Sequence, residues 1–471
     1  MLYKMENKKE NKTIKDFLNY AVGDLFVKGF LFISLPLLSR ILDPVQYGKL
    51  SLINTAIMIL YVFVSLNMQN AVMNRYMKSN ENFNNYLGSI IVFLIPFQIL
   101  ILIFEPLYRD PLSKLLGIDG KDLIWVITIC ILLSYIYIYS SYLQASKQSL
   151  KYVRLNVASK VTEVISIFIF AYFMSSQQYL SKVYSQLIIS LLILFYIFPR
   201  IKKIIKFPRG SADIKDALLF SVPLIVHVLS NSLLSQADRL MIADMLGVYD
   251  AGIYSFSYNL GMCIIVVVMA WNASWQPRLY KLLDNKNDNK IKETILNSTI
   301  IIFSISALAI LFSNEMIMIL ADKSYYQGAE IVPVIIFGNS LIHLYMCFAN
   351  FVFYHKKSVL ISIATLLALV VNVVVNYYLI PRYGIIGAAW ATVFSYFMLC
   401  LFHYTVATFY TKNNIIPISY LFFFSIGLTL VLLATYFINN LNILPSITIK
   451  VLITLVVLLT VYKSKIYTKL S

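Results

Sequence analysis

The sequence predicts an all-α, polytopic membrane protein. It should have about fourteen transmembrane helices: two six-helix lobes in parallel orientation, then two extra helices. Three observations predict it. Of 471 residues, 59% are hydrophobic and only 13% charged, where a soluble domain carries roughly 25% charged residues. Apolar stretches of about 20 residues, long enough to cross a bilayer as helices, recur along the whole chain. Lys and Arg gather in alternate connections, the asymmetry that sets orientation in a membrane.

A polar, Lys-rich arm, 1–16, precedes the first apolar stretch, which is too long for the core of a cleavable signal. The spans are read at 17–39, 50–72, 83–105, 123–144, 155–174 and 179–199. The basic linker 200–216, RIKKIIKFPRGSADIKD, ends this first lobe, 17–199. The second lobe, 217–408, holds spans 217–241, 249–271, 293–313, 330–354, 358–380 and 384–408. Spans 417–437 and 445–462 form the appended pair, 417–462, and 463–471 is a basic tail. The longest connections, 106–122, 200–216 and 272–292, leave no room for a folded soluble domain.

An even number of spans puts both termini on one side. That side holds the lysines of the arm, Arg75, Lys78, Lys147, Lys151, Arg154, the linker cluster, Arg278 to Lys292, Lys356, Lys357 and the tail. It is therefore expected to be cytoplasmic. The net charge of +17 fits such loops against anionic headgroups. No basic run carries the aromatic interleaving of a nucleic-acid site, so no nucleic-acid partner is expected.

A weak internal repeat spans the linker. LDPVQYGKLS (42–51) follows the first span and LGVYDAGIYS (246–255) the seventh; QASKQS (144–149) matches VFYHKKS (352–358) at nearly the same offset. Because six is even, such halves share an orientation, an arrangement found in alternating-access transporters.

Six charged residues are read as lying inside spans: Asp24, Lys28, Lys160, Glu163, Asp238 and Arg239. Charge at membrane depth is costly, so these residues should face the bundle interior or a watery cavity. Asp24 and Lys28, in GDLFVKG, share a helix face. Lys28 lies about 17 Å into its span at 1.5 Å per residue, too deep to reach the interface easily. Lys160 and Glu163 are spaced to neutralise each other. Asp238 and Arg239 are adjacent and should point apart. Polar residues at the same i, i+4 spacing extend the pattern: His227 with Asn231, Asn339 with His343, Asn372 with Asn376. As single residues, a buried His or Asn more often serves helix contacts than a ligand.

These residues point to transport rather than catalysis. There is no P-loop. The four His and the isolated Cys130, Cys263, Cys347 and Cys400 form no metal knuckle, so neither cofactor nor metal is expected. A membrane-embedded glycan polymerase or glycosyltransferase would need a sizeable extramembrane loop. A cation-coupled exporter, with Asp24 or Glu163 as the ion-coupling carboxylate, is the competing transporter reading.

The segments LSRILDPVQYGKLSLI (38–53), AWNASWQPRLYK (270–281) and LIPRYGIIGAAWATVFSY (379–396) resemble the Wzx-type O-antigen and capsule-repeat flippases of the multidrug/oligosaccharidyl-lipid/polysaccharide flippase superfamily. The resemblance runs over essentially the whole chain. It implies movement of an undecaprenyl-diphosphate-linked oligosaccharide across the bacterial inner membrane, with membrane lipids and other polysaccharide-assembly proteins as partners. It also implies cationic residues facing the diphosphate. Lys28 and Arg239 match that role by type and place, with Asp24, Asp238, His227, Asn231, Asn339 and His343 as further candidates for the substrate site. Asp24 would neutralise Lys28 while the site is empty.

Overall fold

A computed structural model describes the backbone of residues 2–79, 81–206, 211–411 and 415–463, with side chains from Asn19 onward except at a few positions including Asp24. Sixteen α-helices account for the described chain: α1 Leu2–Ile41, α2 Pro44–Val64, α3 Met68–Lys78, α4 Phe83–Leu116, α5 Gly120–Ala145, α6 Ser149–Phe173, α7 Leu180–Ile204, α8 Ala212–Met245, α9 Val248–Gly261, α10 Cys263–Asp284, α11 Asp288–Leu311, α12 Ser313–Leu320, α13 Val332–Tyr354, α14 Ser358–Thr411, α15 Ser419–Asn439 and α16 Ile443–Lys463. A 3₁₀ segment, Lys323–Glu330, lies between α12 and α13.

Every expected span falls on helix, as an all-α polytopic chain requires. Among the described residues ten helical stretches are long and apolar enough to cross a membrane, and one of them, Val359–Phe409, carries two of the expected spans. The apolar run of α16, Leu444–Leu459, is shorter. The helices break where the backbone demands it. Span 50–72 divides into α2 and α3 at Leu66 and Asn67, both with positive φ. Span 249–271 divides into α9 and α10 at Met262. Within α14 the chain breaks at Gly384 (φ 60, ψ −145), a conformation open to glycine alone. At α2 the start is fixed by Asp43, whose side chain accepts from the Gln46 N–H at 2.8 Å, followed by Pro44 at the first helical position.

By contacts the chain divides into two units. Unit 1 is Met1–Ser34 with Ile41–Gln236; unit 2 is Leu35–Arg40 with Ala237–Ser471. The first part of α8 thus groups with unit 1 and its end with unit 2. Unit 1 has a core of Met68, Val72, Tyr86, Leu87, Ile90, Leu94, Ile138 and Ala217. There the linker's Lys206 N–H donates to Asn84 O at 3.0 Å, holding it against the start of α4. Unit 2 is built around α13, buried along nearly its whole length and packed by α9, α10, α11, α14 and α15. A helix apolar on all sides belongs in such a position.

Candidate functional site

Two groups of membrane-depth polar residues stand out, one within each unit. In unit 1, α1 meets α6 over one turn. Asn19 Nδ2 donates to Ser149 Oγ at 3.0 Å. One turn on, a Cβ at Gly23 would come within 2.7 Å of Val153 Cγ1, so glycine permits the close approach. Four residues advance on each helix between these contacts. Continued along both helices, that offset would set Phe30 level with Lys160 and Lys28 level with Ala158, with the two lysines about 3 Å apart in depth. Lys28 is half-buried; the side chain of Asp24 lies outside the described residues, so the expected Asp24–Lys28 pairing is not described.

Glu163 is more than the i+3 partner of Lys160. Lys160 Nζ donates to Oε2 at 2.9 Å, and Lys182, from α7, donates to Oε1. Glu163 and Lys182 are buried, while the Lys160 side chain is 37% exposed. The predicted pair is thus a triad with one cation in excess. On α8, His227 is half-buried with its Nδ1 lacking a hydrogen-bond partner among the described residues, and Asn231 is exposed.

In unit 2, Asp238 and Arg239 do point apart. Asp238 is buried and accepts three hydrogen bonds. Tyr254 Oη of α9 and Thr392 Oγ1 of α14 donate to Oδ2 at 2.8 and 2.7 Å; Asn376 Nδ2 of α14 donates to Oδ1 at 2.6 Å. Asn376 also donates to Asn372 Oδ1 at 3.1 Å. Among the described residues no cation lies within salt-bridge distance of this carboxylate. All its partners are neutral. The three donors satisfy the hydrogen-bonding capacity of a carboxylate that would otherwise be costly to bury. Arg239, also buried, places its guanidinium 4.9 Å from the ring centre of Tyr258.

Asn339 and His343 are closed to solvent inside unit 2. Asn339 Nδ2 donates to Gly261 O at 3.2 Å. His343 packs at 4.3 Å against Trp271, with Nε2 3.1 Å from Thr299 Oγ1. That hydroxyl also lies 2.7 Å from Ile295 O. In this conformation both residues serve helix packing.

Apart from charged residues at the first or last two positions of a span, the sequence reading of six missed two: Lys182 falls inside the span read at 179–199, and Lys450 inside 445–462. Lys450 is fully buried and donates to Glu315 Oε1 at 2.6 Å and to Asn439 Oδ1 at 2.7 Å. Both lie within apolar windows and could have been found there; their partners, on other helices, could not.

The family model described as "Polysaccharide biosynthesis protein" matches residues 13–283, more than half of the chain. The chain belongs to the polysaccharide biosynthesis protein family. A second model, described as MatE, matches residues 223–378. The Haemophilus influenzae "Lsg locus putative protein 1" is 23% identical over 82% of this polysaccharide-family chain and 98% of its own length. The Staphylococcus aureus "Capsular polysaccharide biosynthesis protein CapF" is 21% identical over 83% and 98%. The solved structure of "Lipid II flippase MurJ, inward closed conformation" is similar in fold, with a TM-score of 0.69 at 18% identity over 94% of this chain and 99% of that one. The chain is a multi-pass membrane protein of the multidrug/oligosaccharidyl-lipid/polysaccharide flippase superfamily, as its sequence resemblance implied.

Proposed function

We propose that this protein carries an undecaprenyl-diphosphate-linked oligosaccharide, a repeat unit of O-antigen, capsule or exopolysaccharide, from the inner to the outer leaflet of the bacterial cytoplasmic membrane. The two lobes, 17–199 and 217–408, open alternately, and both termini stay in the cytoplasm. The protein transports and does not catalyse. The observation that supports this reading is the contact of α1 with α6 at Asn19–Ser149 and Gly23–Val153 in a polysaccharide-family fold, an offset that, continued, sets Lys28 and Lys160 at nearly one depth. A lipid-linked sugar crosses with an anionic diphosphate, and cations at that depth lower its cost of leaving water. Arg239 is the corresponding cation of unit 2.

Asp238 fits the coupling step better than contact with an anionic substrate. It is a buried carboxylate among neutral donors, so binding a proton or a monovalent cation changes the charge of its helix contacts. The same observation, with the MatE match, favours a second reading, a cation-coupled exporter of small molecules. Complementation separates them. In a strain lacking its own repeat-unit flippase, the chain should restore glycan to the cell surface. Failure to restore it with any repeat unit tested, together with raised drug resistance, would establish the exporter instead.

A further inference from the structure

We infer that Lys160 is a second binding group for the phosphate-type anion of the substrate, and that Lys182 is the positioning residue that makes it available by holding Glu163. The inference rests on the flippase reading above and assigns part of its substrate site.

Charge counting is the first step. Two ammonium groups share one carboxylate, Lys182 on Oε1 and Lys160 on Oε2. A pair serving only to neutralise itself would need one of each. Among the described residues no other carboxylate lies within 4.0 Å of either lysine. One positive charge is left over.

Exposure locates the excess. Glu163 and Lys182 side chains are 8% and 9% exposed and form the buried partnership between α6 and α7; Lys160, at 37%, is the accessible member. Lys160 lies about 8 Å of helix, a turn and a half, past the start of the span read at 155–174.

Direction completes the case. Past Leu150, the exposed positions of α6 run from Lys151 through Arg154, Ala158, Thr162, Ile165 and Ile169 to Tyr172 and Phe173. At 100° per residue they form one stripe, and Lys160 projects from the opposite side. Its side chain therefore leaves α6 on the side away from that stripe. By the offset of the α1–α6 contacts, Lys28 would come near the same depth. Two cations on adjacent helices suit an anion with more than one charged oxygen.

The test uses the purified full-length protein in micelles, with undecaprenyl diphosphate as probe and uncharged undecaprenol as control. Wild type should prefer the diphosphate. Lys160→Gln should weaken diphosphate binding at least tenfold and leave undecaprenol unchanged, and Lys160→Arg should stay within threefold of wild type. Lys182→Met leaves Glu163 to Lys160 alone, and should also cost about tenfold. The double change Glu163→Gln/Lys182→Met frees Lys160 again and should restore binding to within threefold. A merely structural Lys182 would leave the double variant as weak as the single one, which would overturn its assignment. Should Lys182→Met not fold, the double variant, which strands no carboxylate, and Lys160→Gln still decide. Undiminished binding by Lys160→Gln would overturn the inference and leave the flippase reading standing. A wild type that does not prefer the diphosphate to undecaprenol would overturn both.

Discussion

Asp238 and Arg239 are neighbours in the chain, yet they meet different partners. One is wrapped by Tyr254, Asn376 and Thr392, the other stacks on Tyr258. Their divergence was legible from helix geometry. The partners were not, because Asn376 and Thr392 lie 138 and 154 residues along the chain. Replacing Asp238 by Asn keeps an acceptor for Tyr254 and Thr392 while removing the charge. If the carboxylate couples an ion, Asp238→Asn should reach the membrane folded and lose at least tenfold in export. The residual rate should no longer respond to a sodium or proton gradient, measured as glycan reaching the surface under imposed gradients. An unchanged gradient response would exclude Asp238 as the coupling group. At Lys28 the expectation is different. Lys28→Ala should abolish export with protein still in the membrane, whereas Lys28→Arg should retain part of it, since either cation meets a phosphate but with different geometry. The double change Asp24→Asn/Lys28→Met removes both charges. It should restore expression without transport, and full export by it would remove Lys28 from the substrate site.

Helices were the most legible level, because a 20-residue apolar run in a membrane has few alternatives. What periodicity could not show was where a helix breaks. The split of 50–72 at Asn67 comes from two positive-φ residues that are not glycines, and nothing in an apolar window marks them. Gly384 is a clearer signal, since its backbone (φ 60, ψ −145) is essentially closed to other residues. Gly384→Ala should destabilise by about 1–3 kcal/mol, read as a lower melting temperature of the purified protein; an unchanged melting temperature would mean that the break can shift to a neighbour. The appended helix α16 depends on a buried charge instead. Lys450 ties it to Glu315 of α12, so Lys450→Met should lower folded yield severalfold by stranding the carboxylate. Glu315→Gln added to it should recover most of that yield. A double variant as poor as the single one would show that Lys450 acts through Asn439 or Phe312 rather than through the ion pair.

At the scale of the molecule, the distribution of positive charge connects sequence to direction of transport. The same loops that carry the lysines join helices whose pairing is now described: Lys356 and Lys357 lie between α13 and α14, and Lys286 between α10 and α11. Lys323, by contrast, begins the 3₁₀ segment between α12 and α13, and Lys49 lies near the start of α2, with its Nζ 3.2 Å from Asp119. Sequence alone made this alternation legible because each span reverses the side on which the next loop emerges, so a missed or invented helix would scramble it. The proposal that substrate is taken up from the cytoplasmic leaflet needs the Lys286 and Lys356 loops inside and the Lys49 and Lys323 loops outside. Single cysteines placed at these four positions, in a chain whose own four cysteines are replaced, should divide cleanly under a membrane-impermeant maleimide applied to spheroplasts. Positions 49 and 323 should label in intact spheroplasts, and 286 and 356 only after lysis. Labelling of 286 or 356 without lysis would invert the chain in the membrane, and with it the direction in which the lysines of α1 and α6 receive an anion.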